Sequence, residues 1–369
     1  MKLGYFTMPL HQVGRDWRQT LAEDRAAVLL AERLGYEEAF IGEHVTDLAE
    51  TITSCLIFIA TLARDTKRIK LGSGTVNLAN RHPAATAAEI AMLDTLLEGR
   101  FILGVGPGGL PSDAEMMQTM DEDRNAIFVE AMDHMLALWT QEPPYRLQGK
   151  RWRLSTERTW TPDLGMGGML KPFQKPHPPI VVTSILPASN GIAAAAERGW
   201  TPISANFVQP WVIKTHWPKY AEGCVRAGRA ARPQDWRVAK SIFIGDDEAT
   251  VRRMTRDAGN PFAYYFRNLQ RKAQRTRGNA LLKHDPSVPD EALTDEYLVS
   301  HLMISGTVDE VVDKLLAFRE HIGPFGTLLY VGHDWLDPAA MRRSMELMAE
   351  QVLPRVNVAL GERQRALGE

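Results

Sequence analysis

The stretch Phe101-Ile102-Leu103-Gly104-Val105-Gly106-Pro107-Gly108-Gly109 decides between two fold classes. Its first five residues make a short β-like run, and the rest is a glycine-rich turn. Ser112-Asp113-Ala114-Glu115 follows with the S/T-x-x-E spacing of a helix capping box. Taken literally, Gly104 to Gly109 satisfies G-x-G-x-x-G between a strand and a helix, the mark of a nicotinamide-binding dehydrogenase. The context argues against that reading. The motif lies in the fourth strand–helix unit, the helical segment after it runs roughly 25 residues, and no strand ending in an acid follows. The glycines are better read as letting backbone approach a flat ligand at the C-terminal end of one strand among several.

Working outward, seven more β-like runs alternate with helix-length segments: Leu3 to Phe6, Glu38 to Gly42, Ile69 to Leu78, Ile180 to Thr183, Thr201 to Ser204, Arg237 to Ile244 and Thr327 to Val331. With Phe101 to Val105 this makes eight, the number at which a parallel strand–helix repeat can close on itself. The expected fold is an α/β (β/α)8 TIM barrel, a single domain over residues 1–369, with insertions after the fourth and seventh units. Gly35 and Gly99 follow apolar periodic segments where helix ends belong. Ser112 and Thr307 each head a capping-box pattern and are expected to start helices. Residues 143–179, rich in proline and glycine, read as a long loop with a hairpin around Gly149. Residues 260–301 are a second excursion and a candidate active-site lid, because insertions of that size on a barrel tend to cover its mouth.

The 369 residues carry 43 basic and 45 acidic side chains and are 44% hydrophobic. That balance gives no attraction to nucleic acid or anionic lipid and favours a small-molecule partner. Cys55 and Cys224 lack metal-ligand spacing and are expected as buried thiols in a reducing compartment. Met1-Lys2-Leu3-Gly4-Tyr5-Phe6 lacks a signal-peptide pattern, and no run of about 18 apolar residues occurs, so a cytoplasmic protein without a membrane span is expected.

Glu43-His44 closes the second strand, at the rim where barrel enzymes place catalytic groups. A histidine there can donate a hydrogen bond or shuttle a proton near neutral pH; the competing reading is a structural histidine held by Asp47 or Glu43. Without a second histidine at i+4 or a Cys-x-x-Cys, no metal site is expected. Arg124, in the first half of the helix after Gly109, reads on its own as a solvated charge. Ser184 and Ser189-Asn190-Gly191 lie between the fifth strand and its helix, suiting either a simple cap or a bound phosphate. Arg267, Arg271, Lys272, Arg275 and Arg277 fall at helical spacing and read as a solvated face.

Ile41-Gly42-Glu43-His44, Leu71-Gly72-Ser73-Gly74-Thr75, His82-Pro83, Glu98-Gly99-Arg100 running into Phe101 to Gly106, and Gly306-Thr307-Val308-Asp309-Glu310 occur in barrel order. In these the chain resembles the bacterial-luciferase-like flavin-dependent monooxygenases, essentially end to end. It looks most similar to the diketocamphane monooxygenases, through Thr201-Pro202-Ile203-Ser204 and His333-Asp334 as well, and to limonene monooxygenases. The resemblance implies reduced FMN bound at the C-terminal mouth, beside a non-proline cis peptide that maps to Gly74 and Thr75. It also implies phosphate contacts from Arg124 and from the fifth loop, at Ser189 and Asn190. Thr183, Ser184, Gly191 and Gly106 complete the implied cofactor set, and His44 falls on the family's catalytic histidine, with Glu43 beside it. Bacterial luciferases carry an arginine directly after the fourth strand; Pro107 stands here and withholds that contact.

The same resemblance implies a two-component system. A separate NAD(P)H-dependent flavin reductase supplies FMNH2, and this chain activates O2 as a flavin C4a-hydroperoxide. The chemistry belongs to the cofactor while the protein orients substrate and excludes water. Phe207, Trp211, Tyr264, Tyr265 and Phe266 are the expected lining for a small hydrophobic substrate. Baeyer-Villiger insertion beside a cyclic ketone, epoxidation and hydroxylation of a terpenoid-like compound all stay open. So do an F420-dependent oxidoreductase on the same barrel and a non-catalytic flavin-binding protein. The family resemblance suggests a homodimer through helices on the barrel flank.

Overall fold

The computed structural model describes residues 1–276 and 278–367. In chain order its strands are β1 (Lys2–Thr7), β2 (Glu38–Ile41), β3 (Lys70–Ser73), β4 (Val76–Asn77), β5 (Phe101–Gly106), β6 (Arg146–Gln148), β7 (Arg153–Ser155), β8 (Ile180–Ser184), β9 (Thr201–Ser204), β10 (Arg237–Ile244), β11 (Met303–Gly306) and β12 (Thr327–Gly332). Its helices begin with α1 (Trp17–Arg33), α2 (Cys55–Leu62), α3 (Pro83–Leu96), α4 (Pro111–Met116), α5 (Arg124–Thr140), α6 (Asn190–Glu197) and α7 (Pro210–Lys214). They continue with α8 (His216–Arg226), α9 (Glu248–Thr255), α10 (Pro261–Gln274), α11 (Asp295–Leu302), α12 (Val308–Ile322), α13 (Pro338–Leu347) and α14 (Leu353–Leu367).

Eight strands follow one another in the order β1-β2-β3-β5-β8-β9-β10-β12, and β12 returns to β1 in parallel register from Lys2↔Thr327 to Thr7↔Gly332. This is a closed parallel (β/α)8 barrel, and its eight strands are the eight runs expected from the sequence. Two details differ. The run from Ile69 to Leu78 is not one strand: β3 stops at Ser73, the Gly74–Thr75 peptide is cis, and β4 resumes at Val76 before a 3-10 turn over Leu78–Asn80. A further strand, β11, pairs with the far half of β10, from Ser241↔Met303 to Ile244↔Gly306.

The described residues group into two compact units, Met1–Ala39 with Leu48–Thr51 and Val182–Glu369, and Phe40–Asp47 with Ile52–Val181. In the first unit, most strand residues are buried on both faces, as parallel strands under helices must be. Seven of the eight residues of β10 are buried. Lys240 points outward, its ammonium 5.5 Å from the Phe318 ring of α12, so its neighbour Ser241 points to the barrel interior. Tyr5 and Tyr330 stack at 6.4 Å, and a Cβ at Gly332 would collide with the Tyr5 hydroxyl. In the second unit, β3 and β5 approach so closely that a Cβ at Gly104 would run into the Ser73 carbonyl oxygen, while Ser73 Oγ accepts from Gly104 N at 2.9 Å. The first glycine of the G-x-G-x-x-G pattern therefore serves strand packing and not approach to a ligand.

The long helix expected after Gly109 is two helices. α4 ends at Met116, Gln118 adopts φ +58°, and Asp123 caps α5 by accepting from Asn125 N and Ala126 N at 3.0 and 3.1 Å. Arg124 is thus the first residue of α5 and not part of a helix running from Gly109. The Ser112 capping box does not form either. α4 starts two residues earlier, behind Leu110 with Pro111 as its first residue, and the Ser112 hydroxyl lies 2.7 Å from Thr46 Oγ1 instead. At Thr307 the box is complete, with Glu310 accepting from Thr307 N at 2.8 Å. Gly35 adopts φ +80° directly behind Leu34, the C-cap of α1. Behind α3 it is Glu98 that turns left-handed first, at φ +51°, with Gly99 following at +81°.

Residues 143–179 contain the β6–β7 hairpin, where Gly149 N donates to Trp152 O at 2.9 Å. Lys171 ties the segment to α5 through Leu138 O at 2.8 Å. Residues 260–301 carry α10 and α11 with two 3-10 turns between them. No helix among the described residues is long and apolar enough to cross a membrane.

Candidate active site

In the second unit, β2 ends at Ile41 and delivers His44 three residues beyond the strand. Asp113, in the first turn of α4, lies opposite: its Oδ2 is 3.0 Å from His44 Nδ1. The other carboxylate oxygen accepts from Val45 N at 3.1 Å, Thr46 N at 2.8 Å and Thr46 Oγ1 at 2.6 Å. Burial raises the Asp113 pKa, but the bonds from His44 and Thr46 outweigh it and hold the carboxyl down at about 2. An ionised Asp113 fixes the imidazole with its Nδ1 proton toward the carboxylate, so the proton that His44 exchanges is the one on Nε2. Asp113, and not the Glu43 expected from sequence, is the carboxylate at Nδ1.

Glu43 is buried and faces elsewhere. Its Oε2 accepts from Cys55 N at 3.0 Å and from the Cys55 thiol at 3.1 Å, and its Oε1 accepts from Asn77 N at 3.2 Å. Asn77 Nδ2 returns a bond to the Glu43 carbonyl at 3.2 Å. Glu43 therefore joins the His44 loop to α2 and to the segment just beyond the cis Gly74–Thr75 peptide. Both cysteines are buried and free. Gly106 ends β5 beside Thr75: a Cβ there would meet Thr75 Oγ1 at 3.1 Å, whereas one at Gly109 would meet nothing within 4 Å. Arg124 Nη1 donates to Gly108 O at 3.2 Å, so this guanidinium is folded back on the glycine-rich turn rather than dispersed in solvent.

In the first unit, Thr183 is exposed and Ser184 buried at the end of β8, where Ser184 O accepts from Ala205 N at 3.1 Å. Ser189 is the N-cap of α6 but makes no side-chain capping bond, and Ala188 before it adopts φ +48°. Asn190 Oδ1 accepts from Lys219 Nζ at 2.9 Å, which brings an ammonium to the helix start. A Cβ at Gly191 would meet only Ser189 Oγ, at 3.3 Å. The expected aromatic lining is only partly assembled. Tyr265 and Phe266 of α10 meet edge to face at 5.1 Å, and the Tyr265 ring lies 4.3 Å from that of His333. Phe207 and Tyr264 are half-buried, and the Trp211 indole N–H donates to Lys283 O at 3.0 Å, anchoring the segment behind α10. In the basic stretch, Lys272 pairs with the buried Glu50 at 2.8 Å and Arg267 with Asp295 at 2.6 Å, while Arg271 and Arg275 are exposed. Arg277 lies outside the described residues.

A second charged cluster sits behind β1 and β12. His11 is buried between two carboxylates, with Nδ1 2.9 Å from Asp334 Oδ1 and Nε2 3.2 Å from Asp24 Oδ2. Arg15 bonds both Asp334 and Glu23. Burial lowers the His11 pKa, but the bonds to Asp24 and Asp334 prevail and bring it up to about 9. Burial pushes the Asp24 carboxyl up, whereas Asp334 is held down by His11 and Arg15.

Residues 1–323 match the family model described as luciferase-like monooxygenase. The chain is 31% identical to 4-hydroxyprotoasukamycin monooxygenase of Streptomyces nodosus subsp. asukaensis, over 98% of this chain and 93% of that protein. It is 28% identical to limonene 1,2-monooxygenase of Rhodococcus erythropolis, over 99% and 89%. Among solved structures, it matches the oxygenating constituent of 3,6-diketocamphane monooxygenase from the CAM plasmid of Pseudomonas putida. That protein is a type II Baeyer-Villiger monooxygenase in complex with FMN; the TM-score is 0.87 at 28% identity, covering 96% of this chain and 98% of that one. With a barrel of that order and relatives aligned along nearly its whole length, the chain belongs to the luciferase-like monooxygenase family.

Proposed function

We propose that the protein is the oxygenase component of a two-component monooxygenase, using reduced FMN from a separate NAD(P)H-dependent reductase to insert one oxygen atom of O2 into a small hydrophobic compound. The observation that carries this reading is the His44–Asp113 pair at the C-terminal end of β2. The donor set suits the cofactor. In the second unit, Gly74 and Gly106 offer bare backbone to a flat ring on either side of Thr75, and the Arg124 guanidinium suits a phosphate. In the first unit, Thr183, Ser184, the uncommitted Ser189 hydroxyl, Asn190 with its Lys219 partner, and the α6 amides near Gly191 form an anion-binding set. Bound reduced flavin would supply the electrons that activate O2. His44 would give a proton or hydrogen bond from Nε2 to an oxygen atom, Asp113 would hold its ring, and Glu43 acts as a positioning residue for the loop carrying it.

Exposed Ile57 on α2 and Met92 and Leu96 on the adjacent α3, at 72%, 65% and 50%, favour a homodimer through these helices. The test of the function supplies the chain with NADH, FMN, a flavin reductase, a bicyclic ketone and 18O2. Product carrying one 18O atom is expected; flavin oxidation that yields only hydrogen peroxide with wild-type protein and a panel of ketones and terpenes would refute the proposal.

A further inference from the structure

Within the first unit, four side chains from four elements form one buried hydrogen-bonded string. Asn206, two residues beyond β9, donates through Nδ2 to the Tyr265 hydroxyl of α10 at 2.9 Å and to Ser241 Oγ of β10 at 3.0 Å. Ser241 Oγ lies 3.0 Å from Nε2 of His333, one residue beyond β12. All four residues are at most 2% exposed. The string ends at His333 Nδ1, a buried atom without a hydrogen-bond partner among the described residues.

Counting protons along the string decides what that atom offers. Ser241 Oγ already accepts from Asn206. With the histidine proton on Nε2, Ser241 would accept twice and its own hydroxyl proton would find no acceptor, leaving two buried polar groups unpaired. With Ser241 donating to Nε2, only the Nδ1–H is left over. The second arrangement is favoured, so His333 presents an N–H donor. Burial keeps its imidazole neutral by lowering the pKa to about 3. Tyr265, Phe262 and Phe266 wall this donor, their ring centroids 4.3, 4.8 and 6.4 Å from that of His333. What the apolar surroundings lack is an acceptor, and Asn206 and His333 both sit just past barrel strand ends, where substrate-touching groups belong.

We propose that His333 Nδ1–H recognises a carbonyl oxygen of the organic substrate, with Ser241 and Asn206 fixing its tautomer and α10 as the apolar cover over the substrate skeleton. A hydrocarbon would leave the donor unpaired, and an alcohol would bring a proton that needs an acceptor of its own. This deepens the monooxygenase reading and rests on it for the ligand's role as substrate. Ketones are thereby selected over alkenes.

The test uses the 15N-histidine-labelled full chain, with the His333 resonances assigned by their absence in His333→Gln. A neutral ring protonated at Nδ1 is expected, becoming a mixture of tautomers in Ser241→Ala. Equilibrium binding is then measured for camphor, a bicyclic ketone, and for bornane, the same skeleton without oxygen. Wild type is expected to prefer camphor about tenfold, the preference to vanish in His333→Leu through weaker camphor binding alone, and to survive in part in His333→Gln, which keeps a donor. A ring protonated at Nε2, equal affinity of wild type for both probes, or equal weakening of both in His333→Leu would overturn the assignment. None of these readouts involves flavin, so failure to bind reduced FMN would count against the monooxygenase reading alone.

Discussion

Raising the pH should unfasten the His11 cluster, and the structure sets how much stability goes with it. His11 is fully buried, faced by Asp24, Asp334, Arg15 and Glu23, and its two ring nitrogens each meet a carboxylate. Its pKa stands at about 9 in the folded protein against 6.5 for an ordinary imidazole. Because the folded value is the higher one, the folded state binds the proton more tightly. The contribution is complete below about pH 6.5 and is lost as pH rises through about 9, and that interval corresponds to about 3 kcal/mol. The assay is denaturant unfolding of wild type and His11→Gln from about pH 6 to about pH 10, reading the difference between the two so that other titrating groups cancel. The difference should be largest at the acid end and shrink by about 3 kcal/mol toward the alkaline end. A difference that is flat across the interval, or that grows with pH, would refute the reasoning.

Gly104→Ala should cost at least about 1–3 kcal/mol, read as a lowered melting temperature, because the new methyl meets the Ser73 carbonyl and neither backbone can yield cheaply. A neutral outcome there would contradict the packing of β3 on β5. Asp113→Asn should lower turnover by about tenfold to hundredfold while leaving reduced-FMN affinity unchanged, since it removes the anchor of His44 and not a cofactor contact. Equal loss of flavin binding would reassign Asp113. Wild type should sediment as the proposed dimer and Ile57→Glu as a monomer in sedimentation velocity; a wild type that is itself monomeric would remove the proposed α2 and α3 interface.

The barrel was legible because its strands are short apolar runs bounded by helix punctuation, and parallel strands buried on both faces leave that mark plainly. β11 was not, since Met303-Ile304-Ser305-Gly306 continues the apolar pattern of α11 and runs straight into the Thr307 cap. The break in the run from Ile69 to Leu78 had no signal in periodicity, and only the family resemblance pointed to Gly74 and Thr75. His44 stood out by its place after a strand, but its partner did not. Asp113 was absorbed into a capping box that the structure does not form, although an acid in the first turn of a helix that opens on Pro111 was the available clue. Arg124 was set inside a helix because Asp121-Glu122-Asp123 looks like a charged helix face, whereas Asp123 is in fact the cap. The His333 string could not be read at all, because Asn206, Ser241, Tyr265 and His333 are spread over some 130 positions and only closure of the barrel brings them together.

The central claim is that this chain holds reduced FMN and controls its reaction with oxygen. The direct measurement loads the protein with reduced FMN without air, admits oxygen in a stopped-flow instrument, and follows the flavin absorbance and hydrogen peroxide released in wild type, His44→Ala and Arg124→Ala. In wild type, reoxidation should be slower than for free flavin, faster and peroxide-producing in His44→Ala, and indistinguishable from free flavin in Arg124→Ala at protein concentrations that saturate wild type. Reoxidation of wild-type samples at the rate of free flavin would contradict the account.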